Sequence, residues 1–247
     1  MDLHLQGRTA IVCGASSGIG RGIAEGLVDE GVNVVMFARR QELLEREAER
    51  LGAVAVAGDV TSEDDLQRLV ETAVDRFGGV DILVNNSGGP PRTAAIALEA
   101  VNVEAAVQLL LVSVVRLTSL CIPHLERSGR GRIVNVTSSS VREPIDNLAL
   151  SNAVRPGVVG WAKTLAREVG PLGITVNSIA PGWIDTERIR EVHPEGPSAD
   201  DLAAVPVRRL GSPREIGDLV AFLCSDRASY ITGTVIPVDG GLTRSLL

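Results

Sequence analysis

Two groups of residues in this sequence have the types and spacing that binding chemistry needs. The first is the run "CGASSGIGRG", in which Gly14, Gly18 and Gly20 follow the apolar stretch "RTAIVC" and lead into a helical pattern over Arg21 to Leu27. Glycines at a strand-to-helix turn let the backbone approach a pyrophosphate, whose charge the helix N-terminus favours. Glycine clusters also mark plain tight turns. The strand before and the helix after raise this one above that reading. The second group ends "NVVMFARRQE". An acid at the end of a second strand would bind adenosine ribose hydroxyls, but Ala38 stands there, and Arg39 and Arg40 can face a 2′-phosphate with forked donors. The competing reading makes these arginines the solvated start of a helix.

The elements that must hold these groups are legible as a rhythm. Short β-branched runs at 8–13, 33–37, 53–59, 81–86, 132–138, 174–180 and 234–239 alternate with charged, helix-spaced segments such as 40–51 and 62–77. That alternation predicts βαβ units around a parallel sheet covered on both faces. At 247 residues the chain suits one large domain, with no internal repeat and no linker. The long irregular stretch 186–205 reads as a lid or binding segment.

Composition narrows the classes. A net charge of −7 argues against a nucleic-acid surface. Cys13, Cys121 and Cys224 are too few and too scattered for a disulfide framework or a metal box. "MDLHLQGR" lacks a signal-peptide pattern, and the most apolar helical stretch, around Ala105 to Val115, reads as too short to span a bilayer. The expectation is a cytoplasmic protein with neither nucleic-acid nor membrane partners.

The glycine spacing G-x-x-x-G-x-G resembles that of the short-chain dehydrogenases/reductases, and the resemblance extends along nearly the whole chain. "GDV" (58–60), "NNSG" (85–88), "PGWIDT" (181–186) and "YITGTVIPVDGG" (230–241) resemble that family's motifs in order, and the 3-oxoacyl-[acyl-carrier-protein] reductase-like group within it. The resemblance implies an α/β fold, a Rossmann-type doubly wound parallel sheet of about seven strands in a single domain. It implies a dinucleotide site formed by Gly14, Ser16, Ser17, Gly18, Ile19, Gly20, Arg39, Asp59, Val60, Asn86, Ser87, Gly88, Arg155, Pro181, Gly182, Ile184 and Thr186. With Arg39 at the 2′-phosphate, NADP(H) is expected over NAD(H). A small carbonyl or acyl substrate and a homotetramer are implied as well; apolar helices at 105–127 and 152–169 would pair across a two-fold axis.

The same resemblance implies a catalytic Ser, a Y-x-x-x-K pair on one helix face and an Asn on the preceding helix. Ser138 matches the Ser, although a serine cluster after a strand also serves as a loop cap. Thirteen residues on stands Ser151 where the Tyr is expected, and four further Arg155 where the Lys is expected. The Asn position falls within Leu109, Leu110 and Leu111. The only Tyr is Tyr230 and the only Lys is Lys163, so neither can be supplied by a shifted register. An aliphatic hydroxyl is far less acidic than a phenol of pKa about 10, and a guanidinium stays protonated. Glu143, Asp146 and His193 are substitute proton donors, each more simply read as a solvated loop residue. Pro156 is expected to kink or shift the helix start. Three functions stay open: an NADP(H)-linked reductase with altered catalytic residues, a cofactor-binding pseudoenzyme, or non-redox chemistry on the same scaffold.

Overall fold

The computed structural model describes residues 2–193 and 195–246. Seven parallel strands form one sheet in the order β3-β2-β1-β4-β5-β6-β7. They are β1 (Thr9–Cys13), β2 (Asn33–Ala38), β3 (Val54–Ala57), β4 (Ile82–Asn85), β5 (Arg132–Val136), β6 (Thr175–Pro181) and β7 (Val235–Val238). The expected single-domain α/β architecture is present, and each strand lies within or beside its predicted run. Buried parallel strands need apolar residues on both faces, which is why they read as continuous apolar runs.

Helices α1 (Gly18–Asp29), α2 (Gln41–Leu51), α3 (Glu63–Phe77), α4 (Ala100–Val107), α5 (Ser113–Ser128), α6 (Ala149–Val169), α7 (Glu187–Val192), α8 (Ala199–Ala203) and α9 (Pro213–Cys224) follow in chain order. Two apolar cores lie on the two faces of the sheet. Ile23 and Leu27 of α1 pack with Ile216 and Val220 of α9 on one face, and Leu66, Leu117 and Leu165 from α3, α5 and α6 meet on the other. The chain order reverses between β1 and β4, so the strand ends there open a crevice at the carboxyl edge of the sheet.

Three expectations need correction. Segment 186–205 is not irregular: α7 and α8 lie within it, α8 closed by a capping box between Ser198 and Asp201; residue 194 lies outside the described residues. Pro156 does not displace the start of α6, which runs without interruption from Ala149 to Val169. The apolar stretch near 105–115 is not short. α4 and α5 join through a π-helical segment, Gln108–Val112, into one 29-residue helix, Ala100–Ser128, long and apolar enough by length and composition to cross a membrane. In this fold Leu117, Cys121 and Leu125 of that helix are buried against the sheet.

Candidate active site

The glycine turn is shaped for close approach. Gly14 and Gly18 hold φ of +61° and +54°, a region that favours glycine, and a Cβ on Gly14 would come within 2.6 Å of Asn86 Nδ2. Asn86 in turn donates to the Cys13 carbonyl at 3.1 Å, tying the end of β4 to the turn after β1. The first turn of α1 is uncapped: Ser17 has extended backbone angles and no side-chain cap, and no acid follows. The serines before α3, α8 and α9 all accept a backbone amide. Amides left open at Gly18 to Gly20, between turn glycines, fit an anionic pyrophosphate.

The other predicted cofactor residues converge on the same edge. Ser16 is buried and Ile19 partly so. Val60, Asn86, Ser87 and Arg155 line one narrow cleft, together with Leu110 and Thr137. Asn135 also lines it, and its buried Nδ2 has no partner while its Oδ1 accepts from Asn85 at 2.9 Å. Gly88 faces open space. Asp59 accepts from Thr61 N and Oγ1 at 2.8 and 2.7 Å. Pro181 and Ile184 are buried, a Cβ on Gly182 would meet Asp239, and one on Gly18 would sit 3.2 Å from Thr186 Cγ2. The "PGWIDT" segment therefore abuts the glycine turn.

Arg39 and Arg40 divide. Arg39 is largely exposed, with Nη1 3.9 Å from Asp59. Arg40, which the sequence pairs with Arg39 without giving it a separate place, is the one that reaches the turn: Nη2 donates to Ser17 Oγ at 2.5 Å and Nη1 to Glu187 Oε2 at 3.0 Å. Glu187 carried no sequence signal for this contact, because it lies 147 residues away in the chain.

The catalytic positions are brought near one another but are engaged differently from the expectation. Ser138 Oγ accepts the Ser140 amide at 3.1 Å and caps the short turn Ser139–Val141, so the capping reading of the serine cluster describes its present contact. Ser151 is 4% exposed and hydrogen-bonds Ser140 Oγ at 3.0 Å. The residue that meets Ser151 is thus Ser140, which sequence reasoning missed. Leu110 lies on the π-helical segment and packs in a small apolar cluster with Leu150 and Val154, the neighbours of Ser151 and Arg155 on α6. The hydroxyl of Ser113 donates to the Leu109 carbonyl within that widened turn, at 2.7 Å.

Arg155 donates to the Val136 carbonyl at 3.1 Å, and among the described residues no carboxylate lies within ion-pair distance of it. Burial pushes its pKa down to about 10. Burial likewise pushes the Cys13 thiol up to about 12, which removes it as a nucleophile at neutral pH. Of the substitute donors, Glu143 accepts the Arg244 amide at 2.6 Å and Asp146 is exposed. His193 stacks at a tilt on Trp183, centroids 5.5 Å apart, with Nδ1 3.7 Å from Asp201.

A parallel sheet with its crevice at the β1/β4 reversal and a glycine turn feeding an uncapped helix define a dinucleotide-binding α/β protein. The chain belongs to the short-chain dehydrogenase/reductase family: a family model described as Enoyl-(Acyl carrier protein) reductase matches residues 14–243. It is 37% identical over 244 residues to the 3-oxoacyl-[acyl-carrier-protein] reductase FabG of Vibrio cholerae, covering 97% of this chain and 99% of that protein. It is 38% identical over 245 residues to the protein of the same name from Haemophilus influenzae, covering 98% and 100%. Among solved structures, L-sorbose reductase from Gluconobacter frateurii, complexed with NADPH and L-sorbose, matches with a TM-score of 0.92 at 32% identity over all of both chains. YwfH, an NADPH-dependent reductase involved in bacilysin biosynthesis, matches at 0.92 and 27% identity over 97% and 99%.

Proposed function

We propose that this protein is an NADP(H)-linked reductase of small carbonyl or acyl substrates, acting in the cytoplasm, with 186–205 as its substrate lid and with Ser151 and Arg155 at the family's Tyr and Lys positions. The observation that carries the cofactor half is the uncapped first turn of α1 beside Ser17 and Arg40. NADPH bound at this edge supplies a hydride. Gly14 to Gly20 receive the pyrophosphate, Arg39 and Arg40 the 2′-phosphate, and Asp59 and Val60 the adenine. Pro181 to Thr186 and Asn86 to Gly88 border the nicotinamide. Arg155 holds the nicotinamide ribose with its free donors and keeps its own proton. Ser138 exchanges its capping contact for the substrate carbonyl and polarises it. The proton comes from water or from His193, because Ser151 is enclosed and turned toward Ser140.

That enclosure supports a second reading, a cofactor-binding pseudoenzyme, since Leu110, Leu150 and Val154 make the corner around Ser151 apolar. Losing a positioned general acid costs about 10²–10⁴ in rate. One experiment divides the readings: NADPH titration alongside single-turnover oxidation against a panel of ketones and 3-oxoacyl thioesters. Oxidation of bound NADPH by any member supports the reductase, and binding with no oxidation supports the second reading. The exposed apolar residues Val101 and Val103 on the first turns of the long helix favour a homotetramer, and sedimentation as a monomer at micromolar concentration would contradict it.

A further inference from the structure

One ion pair joins the proposed lid to the phosphate end of the cleft. Arg40, immediately before α2, spends one terminal nitrogen on Ser17 Oγ and the other on Glu187 Oε2. The Ser17 hydroxyl itself lies 3.5 Å from the same carboxylate. Glu187 is the first residue of α7, and Thr186 before it presses on Gly18. A carboxylate set between a guanidinium and the serine of a dinucleotide turn has the charge sign and the acceptor atoms of a ribose 2′-phosphate. It uses two donors that such a phosphate would use.

The surrounding charges leave Glu187 as the lid acid that reaches this end. Arg188 is engaged by Glu191 and by the Pro90 carbonyl, Arg190 by Asp185, and Arg39 leans toward Asp59. A phosphate carries up to two negative charges and binds a guanidinium through two parallel bonds, where Glu187 uses one oxygen. Two acceptors of like charge repel at one guanidinium, so the stronger displaces the weaker.

We propose that Glu187 is an internal surrogate for the 2′-phosphate of NADP(H), so that binding of NADP(H), but not of NAD(H), frees α7 from Arg40. The lid then reports which dinucleotide is bound: NAD(H) leaves the Arg40–Glu187 pair intact, and NADP(H) breaks it. The inference rests on the dinucleotide reading of the glycine turn.

The test uses the whole protein and two readouts that need no turnover. Dissociation constants for NADPH and NADH are measured by nicotinamide fluorescence for the native chain, Glu187→Gln and Arg40→Gln. Amide hydrogen exchange over 187–193 is followed with each nucleotide at saturation. Glu187→Gln should tighten NADPH by up to about fivefold, the upper end of what an exposed ion pair is worth, and leave NADH unchanged. NADPH should speed exchange over 187–193 relative to NADH in the native chain, and Arg40→Gln should abolish that difference in exchange. Equal shifts for the two nucleotides in Glu187→Gln, weaker NADPH binding, or identical exchange under both would overturn the surrogate. Failure of either nucleotide to bind the native chain would overturn the dinucleotide reading itself.

Discussion

Two guanidinium regions, one buried and one partly buried in the cleft wall, sit at opposite edges of the same sheet and are treated in opposite ways. At the amino edge, Arg8 before β1 and Arg132 at the start of β5 are almost wholly buried and share the carboxylate of Asp226. Carbonyls of Cys224, Ser225, Gly131 and Gly173 take most of the remaining donors, and Nε of Arg8 has no partner among the described residues. At the carboxyl edge, Arg155 has the Val136 carbonyl and, among the described residues, no acid. Charge enclosed with a counter-charge and carbonyls staples strands and loops together. Charge enclosed without them costs stability and remains available to a ligand. The difference separates the structural arginines from the one proposed to hold the nicotinamide ribose.

Asp226→Ala gives the largest expected effect, because it leaves both Arg8 and Arg132 buried without a carboxylate. Denaturant unfolding should show a loss of about 3 kcal/mol, the low end for breaking a buried pair since Asp226 itself is half-exposed. NADPH affinity should not move. A loss below 1 kcal/mol would mean the carbonyls alone satisfy the two arginines, and the contrast with Arg155 would collapse.

Next in size is the proton-transfer corner. Ser151→Tyr with Arg155→Lys should raise turnover of a small activated ketone at least tenfold, a modest part of what a general acid supplies. Ser151→Tyr alone should do less, since no lysine then tunes the phenol. No gain from the pair, with normal NADPH binding, would show that Leu110 and Leu150 have closed the corner, and native turnover at ordinary rates would point to His193.

How much of this was legible in the sequence follows from the range of the interactions involved. The seven strands and the glycine turn were legible because burial on both faces and positive φ impose residue types locally. The helices inside 186–205 are only five and six residues long, too short for a periodic signal, although Ser198 and Asp201 spelled a capping box. The apolar helix was legible over 105–127 but not its start at Ala100, because the π-helical join at Gln108–Val112 breaks the periodicity without breaking the helix. The Ser140–Ser151 contact was out of reach. It depends on the loop between them, which Asn152 clamps by bonding both backbone groups of Ile145 and which turns at Asn147 with φ of +58°. Arg40 and Glu187 meet through tertiary packing alone, so sequence reasoning could name Arg40 as a phosphate partner and not find what holds it beforehand.

Arg155→Met sharpens the comparison from the other side. Removing a partly buried cation that has no ion pair among the described residues should leave stability unchanged or raise it by up to about 1 kcal/mol, while weakening NADPH binding. A loss of stability as large as that of Asp226→Ala would show that Arg155 is a staple after all.

The smallest effect is the pH dependence that the two regions should show differently. The hydrogen bond from Arg8, aided by the charges of Arg8 and Arg132, holds the Asp226 carboxyl below the ordinary 3.8, against the upward push of burial. A depressed carboxyl contributes stability that is complete above its unfolded pKa and is lost as pH falls through the folded one. The advantage of the native chain over Asp226→Ala should therefore stay constant from pH 7 to about 5 and narrow only below about 4, where the unfolded state takes up the proton first. Arg155 keeps its proton throughout that range, so the difference between the native chain and Arg155→Met should stay flat from pH 7 to 3. Urea midpoints for the three proteins across this interval read both trends at once. An Arg155→Met difference that also narrowed in acid would reveal a carboxylate acting on Arg155, and the carboxyl edge would then be paired like the amino edge.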